Sequence, residues 1–242
     1  MSSPQCFENP PTFNGSSATG SGLVTEIAGL SAYVTGPVDS KRAVLLISDV
    51  FGYEAPNLRK LADKVAAAGY LTVVPDFFFG DPRVRLDDPN FDREAWKRRH
   101  GTDKGCENAR SVIAALRNKG VSSVGAAGFC WGGVVVAKLA KFDDIQAGVI
   151  LHPGRLTDDD INEIKVPVSI LGAENDQASP PEQLKQFGEI LSAKPGIDSF
   201  VKIFPGVSHG WSVRYNLDDE SAVRSAEEAQ TDMLNWFIKH VK

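Results

Sequence analysis

Six apolar runs in this chain are too continuous for strands with one wet face and too short for helices: AVLLISDVFG (Ala43 to Gly52), GYLTVVPDFF, VSSVGAAGFC, AGVILHP, VPVSILGAEND and SFVKIFPG. Strands of this kind are covered on both sides, as when helices pack on both faces of a largely parallel sheet. Helix patterns fill the gaps. One starts near Pro56, with a first-turn proline and a stripe of Leu58, Leu61, Val65 and Ala66. NARSVIAALRNKG closes on a glycine, and further helices are expected over 132–139, 180–191 and 220–240. AYVTGP reads as one more strand. The alternation predicts an α/β fold with a mostly parallel sheet.

With 242 residues the chain is long enough for one such domain with a substantial core. The first 22 residues, rich in Ser, Gly, Pro and Asn, read as a flexible arm, and 23–242 as a single domain. Against 31 Asp and Glu stand 26 Lys and Arg, a formal charge of −5, so no polyanion-binding surface and no nucleic-acid partner are expected. The basic cluster KRRH (Lys97 to His100) is offset by Asp87, Asp88, Asp92 and Glu94 and reads as a solvated helix face. The N-terminus has neither a basic start nor an apolar run, so no membrane association is expected. Three cysteines, Cys6, Cys106 and Cys130, distant in sequence and odd in number, point to free thiols in a reducing, cytoplasmic setting. A monomer or a homodimer is expected.

In open α/β sheets, reactive groups gather outside the carboxyl ends of the strands. Polar residues that follow the apolar runs are Asp49, Asp76, Cys130, His152, Asp176 and His209. Among them Cys130 lies in GFCWGG, a Gly-x-Cys-x-Gly turn between strand and helix. This is the cysteine form of the nucleophile elbow, whose glycines allow the close backbone approach that the strained turn needs. The helix N-terminus favours a thiolate there, and the Trp131 N–H supplies half of an oxyanion hole. Val50, just past the strand that ends at Asp49, supplies the other half. A cysteine nucleophile needs a base. His209, in the loop FPGVSHGW after the last apolar run, is placed for that role, whereas His100 and His240 read as solvated and His152 as a hydrogen-bonded structural residue. Asp176 orients His209, with Glu174, two residues away, as its rival.

In this order Cys130, Asp176 and His209 resemble the dienelactone hydrolase family of the α/β-hydrolase fold. The resemblance runs from about Leu23 to the C-terminus and is carried by SDVFGYEAPNLRKLADKVAAAGYLTVVPDFFFGD, GFCWGG, LGAENDQASP and VSHGW. It implies hydrolysis of a small lactone or ester by Cys130, His209 and Asp176, through an acyl-enzyme and with no metal or organic cofactor. It also implies that Asp49, where bacterial members carry a glutamate, holds the resting thiol of Cys130. Where those members place a substrate-binding arginine, this chain has Phe79 and Gly80. Arg214 matches an arginine of eukaryotic members and is expected to take the substrate's negative charge. Tyr53, Phe79 and Trp211 are expected to wall an apolar pocket for a small planar substrate.

Two other functions stay open. A binding protein could keep this fold with an idle site. A β-glucanase-type glycosidase would need two carboxyl groups facing each other across a sugar. Asp49, Asp176 and Glu174 could be recruited, but the elbow and His209 would then have no task.

Overall fold

The computed structural model describes residues 4–11, 13, 20–83 and 91–242; Asp87 and Asp88 of the acidic run lie outside them. Eight strands form one sheet: β1 (Leu23–Ile27), β2 (Leu30–Thr35), β3 (Arg42–Ile47), β4 (Leu71–Pro75), β5 (Ser123–Phe129), β6 (Ala147–Leu151), β7 (Val168–Asn175) and β8 (Ser199–Ser208). Their order across the sheet is β1-β2-β4-β3-β5-β6-β7-β8. β1 and β2 run antiparallel to their neighbours, and β4, β3 and β5 to β8 are mutually parallel. The α/β class with its mostly parallel sheet is as expected. β1 gives no apolar run because it is an edge strand with four exposed residues out of five. It is joined to β2 through Ala28 and Gly29, both at positive φ (53° and 80°), the backbone a tight hairpin turn demands.

Helices cover both faces. Along β3, Ala43, Leu45 and Ile47 point into one core and Val44 and Leu46 into the other, as the two-residue period requires. The first core is closed by α3 (Thr102–Asn118), α4 (Trp131–Leu139), the short α5 (Asp158–Asn162) and α6 (Pro181–Ser192). The second is closed by α1 (Pro56–Ala67) and α7 (Glu220–His240). α2 (Arg93–Arg99), capped by the Asp92 side chain on Ala95 N–H, carries the basic cluster. No helix among the described residues is long and apolar enough to cross a membrane.

The start of the chain is where structure and sequence reading differ. Pro4–Phe7 form a single 3-10 turn that buries Cys6 and Phe7. The turn is pinned from several sides. Gln5 donates to the Asn175 carbonyl (3.4 Å) and accepts from the Gln177 N–H (2.6 Å). Arg214 donates to the carbonyls of Cys6 (3.3 Å) and Glu8 (2.6 Å). Arg93 lies 4.8 Å over the Phe7 ring. A composition argument averages over 22 residues and misses two apolar side chains that fill a gap in the domain.

Candidate active site

The sharp turn after β5 is set by backbone contact. A Cβ on Gly128 would run into the Gly132 carbonyl, and one on Gly132 into the carbonyl of Ile47. Only glycines let α4 start this close to β3 and β5. Cys130, between them, is held at φ 51°, ψ −107°, a conformation a non-glycine residue keeps only when its surroundings enforce it. They do: its N–H donates to Leu151 (3.1 Å), and its carbonyl accepts from Gly133 (3.0 Å) and Gly154 (2.8 Å). Because the neighbouring atoms are backbone, which cannot move aside, Gly132→Ala is expected to lower stability by about 3 kcal/mol or more. Urea denaturation is the measurement.

The turn puts Cys130 at the N-terminus of α4, fully buried. Beside it lies a cavity of about 220 Å³, walled by Cys6, Val50, Trp131, His100, Arg155 and others. The Val50 and Trp131 N–H groups make no hydrogen bond to any described residue, so both remain available as donors.

His209 follows β8 directly, and Asp176 sits in the turn that ends β7. His209 Nδ1 lies 2.7 Å from Asp176 Oδ2, with both side chains almost wholly shielded from solvent. The other carboxylate oxygen accepts from the Ala178 (2.8 Å) and Ser179 (3.2 Å) N–H groups. Glu174, the alternative partner, instead accepts from the Gly206 N–H at 2.7 Å and is exposed. With Nδ1 on Asp176, Nε2 is left for the sulfurs. It has no nitrogen or oxygen partner among the described residues. His152 is buried with Nε2 2.9 Å from the Ser212 hydroxyl. Burial, then the positive charges of His209 and Arg214, hold its pKa well below the usual value, so it is a neutral structural ring.

The sulfur on the other side of His209 is the surprise. Cys6 Sγ, Cys130 Sγ and a ring nitrogen of His209 all lie within 4.8 Å of one another. The neighbouring Cys130 thiol, then His209 and the charge of Arg214, bring the Cys6 pKa down to about 5 against its burial. The neighbouring Cys6, with burial, pushes the Cys130 thiol well above its ordinary value. Burial works against a charged His209, but its bond to Asp176 and the neighbouring Cys6 prevail and raise its pKa to about 9. With the arm docked, Cys6 is thus drawn toward the thiolate and Cys130 toward the neutral thiol. In iodoacetamide labelling from about pH 6 to 8, the expected result is a nearly flat rate with the label found first on Cys6 by peptide mapping. A rate rising about tenfold per pH unit, as for a free thiol, would count against the pair.

Asp49, expected to hold the resting thiol, is turned away to Arg214. Its Oδ2 lies 3.3 Å from Arg214 Nε, both groups being buried, and its Oδ1 accepts from the Phe51 N–H at 3.0 Å. Cys6 stands where Asp49 was expected to act. Arg214, expected to meet a substrate carboxylate, has a side chain only 1% exposed, fixed by Asp49 and the arm. The cations beside the cavity are Lys97 and the exposed Arg155. Nothing in the sequence singles out Arg155, which follows His152 and Pro153 without a motif of its own. Phe79 is 61% exposed, and Tyr53 packs beneath Arg59; neither lines a cavity with Cys130. Trp211 stacks between His152 (5.2 Å) and Phe204 (5.2 Å). It borders a separate groove of about 990 Å³ that also touches His209, Arg214 and residues 9–11 of the arm. That groove is the larger, but it holds neither Cys130 nor the two N–H donors, which border the smaller cavity. His100, expected in solvent, packs against Phe78 and Trp96 and bonds Asp81 (2.8 Å).

The model of the dienelactone hydrolase family matches residues 30–241. The chain belongs to the dienelactone hydrolase family. It is 34% identical to a carboxymethylenebutenolidase homologue of Mus musculus over 229 residues, 92% of each chain. To an endo-1,3;1,4-β-D-glucanase of Zea mays it is 44% identical over 191 residues, which are 77% of this chain but only 61% of that one. The chain thus spans less than two thirds of the maize relative's length. Among solved structures, a putative dienelactone hydrolase from Klebsiella pneumoniae superposes with a TM-score of 0.72 at 21% identity, covering 90% of this chain and 98% of that one. As a member of the dienelactone hydrolase family the protein is a hydrolase of the ester and lactone class.

Proposed function

We propose that the protein cleaves small lactones or activated esters by acyl transfer to Cys130. The observation that carries this reading is the Asp176–His209 pair, 2.7 Å apart and buried, facing the sulfur of a cysteine held at a strained elbow. Substrate entry moves Cys6 off the sulfur, and His209 takes the Cys130 thiol proton to leave the thiolate. Cys130 Sγ then bonds to the carbonyl carbon, and the oxyanion takes the Val50 and Trp131 N–H groups. Collapse breaks the bond to the leaving oxygen, which takes its proton from the His209 imidazolium. In the second half, water gives a proton to His209 and its oxygen to the acyl carbon, and the thiolate departs. Asp176 fixes the ring tautomer and stabilises its charge throughout.

A thiolate is a better leaving group than an unprotonated amine, so amides are poor substrates and esters and lactones good ones. The test is a panel of p-nitrophenyl esters and lactones, with intact-mass detection of an acyl group on Cys130 in rapidly quenched samples. Turnover without label on Cys130 would defeat the proposal. Cavity volume limits the acyl group to a small one, and Arg155 and Lys97 favour a carboxylate on it. Arg155→Ala is expected to reduce kcat/KM for carboxylate-bearing lactones by roughly two- to fivefold, with neutral esters unchanged, since an exposed cation is worth at most about 1 kcal/mol.

The maize relative's name suggests glucan cleavage, but no carboxyl pair among those considered faces a cleft. Asp49 is tied to Arg214, Asp176 to His209, and Glu174 to the Gly206 N–H.

A further inference from the structure

Acyl transfer uses Cys130, His209 and Asp176 and leaves Cys6 without a chemical task. Cys6 nevertheless completes a compact donor set. Its sulfur, that of Cys130 and a ring nitrogen of His209 lie within 4.8 Å of one another, all buried. Zinc, with Zn–S bonds of about 2.3 Å and Zn–N bonds of about 2.0 to 2.1 Å, holds its tetrahedral donors roughly 3.5 to 4 Å apart. Side-chain adjustments of less than about 1 Å close the set around such an ion. The surroundings match as well. His209 Nδ1 is already taken by Asp176 at 2.7 Å, the carboxylate–histidine arrangement that fixes the tautomer and raises the basicity of a metal-binding imidazole. Both sulfurs border the cavity of about 220 Å³, which leaves room for water as a fourth ligand. Two thiolates and an imidazole neutralise a divalent charge and select a thiophilic ion over magnesium or calcium.

We propose that Cys6, Cys130 and His209 form a three-ligand site for Zn²⁺, and that its occupation silences the hydrolase. Any protons on the two sulfurs and on His209 Nε2 leave to solvent as the metal–sulfur and metal–nitrogen bonds form. No redox change is involved. Silencing follows because a sulfur and a ring nitrogen bound to metal can neither attack a carbonyl nor carry a proton; that half rests on the proposed function, whereas the binding half does not.

The experiment uses the whole chain, reduced and dialysed against EDTA, titrated with Zn²⁺ against a chromophoric chelator and separately with Co²⁺. One ion per chain is expected, with a thiolate-to-cobalt charge-transfer band in the near ultraviolet. Cys6→Ser should weaken Zn²⁺ on the order of a hundredfold or more, as loss of one of few ligands does. Cys106→Ser should bind like the wild type. Because Cys6→Ser could disturb the arm, the wild type is also labelled with iodoacetamide, with and without Zn²⁺. Protection of both Cys6 and Cys130 supports the site. Absence of the cobalt band, equal affinity in Cys6→Ser, or protection of Cys130 without Cys6 overturns it. In parallel, Zn²⁺ should abolish ester hydrolysis and EDTA restore it. If no ester is hydrolysed, only the functional reading fails, because the spectra and the labelling still decide the metal site.

Discussion

Cys130→Ala folds like the wild type and loses ester hydrolysis, with kcat lower by on the order of a thousandfold or more. The change removes one buried sulfur and keeps the elbow, since φ is set by Gly128, Gly132 and the bonds to Leu151, Gly133 and Gly154. Thermal melting and turnover of an aryl ester measure the two halves of the prediction. Retention of more than a few per cent of activity would move the nucleophile elsewhere, and Cys6 is the first place to look. Cys130→Ser should leave weak but measurable turnover, because an alcohol needs far more help from His209 than a thiol does.

Arg214→Ala destabilises the fold by about 3 to 5 kcal/mol, the cost of leaving a buried charge without its partner. The partner is Asp49, 3.3 Å away and equally buried. The same change also frees the carbonyls of Cys6 and Glu8 and loosens the arm. The loss depends on pH. Burial raises the Asp49 pKa, against the opposing pull of Arg214, and removing Arg214 raises it further. A carboxyl whose folded pKa exceeds its unfolded one holds its proton better in the folded state, so folding weakens as pH rises from the unfolded value through the folded one. The penalty therefore grows as pH rises and shrinks on acidification. Chemical denaturation at several pH values should show this, and Asp49→Asn in the Arg214→Ala background should recover part of the loss at pH 7. A mutant as stable as the wild type, with reduced activity on anionic substrates alone, would return Arg214 to the substrate.

What the sequence shows and what it hides divide along physical lines. The strands buried on both faces, the glycines of the elbow and the order Cys130, Asp176, His209 are visible because each is a local pattern. A run of apolar residues, a turn that only glycine can make, and a polar residue after a strand end all announce themselves within a few positions. The partners of Asp49 and Arg214 are not visible. Both lie beside strand ends or loops where several charges could meet, and only the third dimension decides that they pair with each other. Cys6 is hidden for a stronger reason: its neighbours in sequence look like solvent-exposed chain, and its real neighbours, Cys130, His209 and Arg214, are far along the sequence. Arg155 belongs to the same class, a side chain beside the cavity with no local signature.

The docked arm also has a consequence for the order of events during synthesis. Its anchors are Asn175, Gln177 and Arg214, all in the last third of the chain. The arm, made before those anchors, is thus among the last segments to find its place, since domains emerge from the ribosome N-terminus first. Until β7 and β8 have joined the sheet, the arm lacks its hydrogen-bonding anchors, and Cys130 has neither its base nor its sulfur neighbour. The growing chain can hold a formed elbow for some time without holding a reactive one.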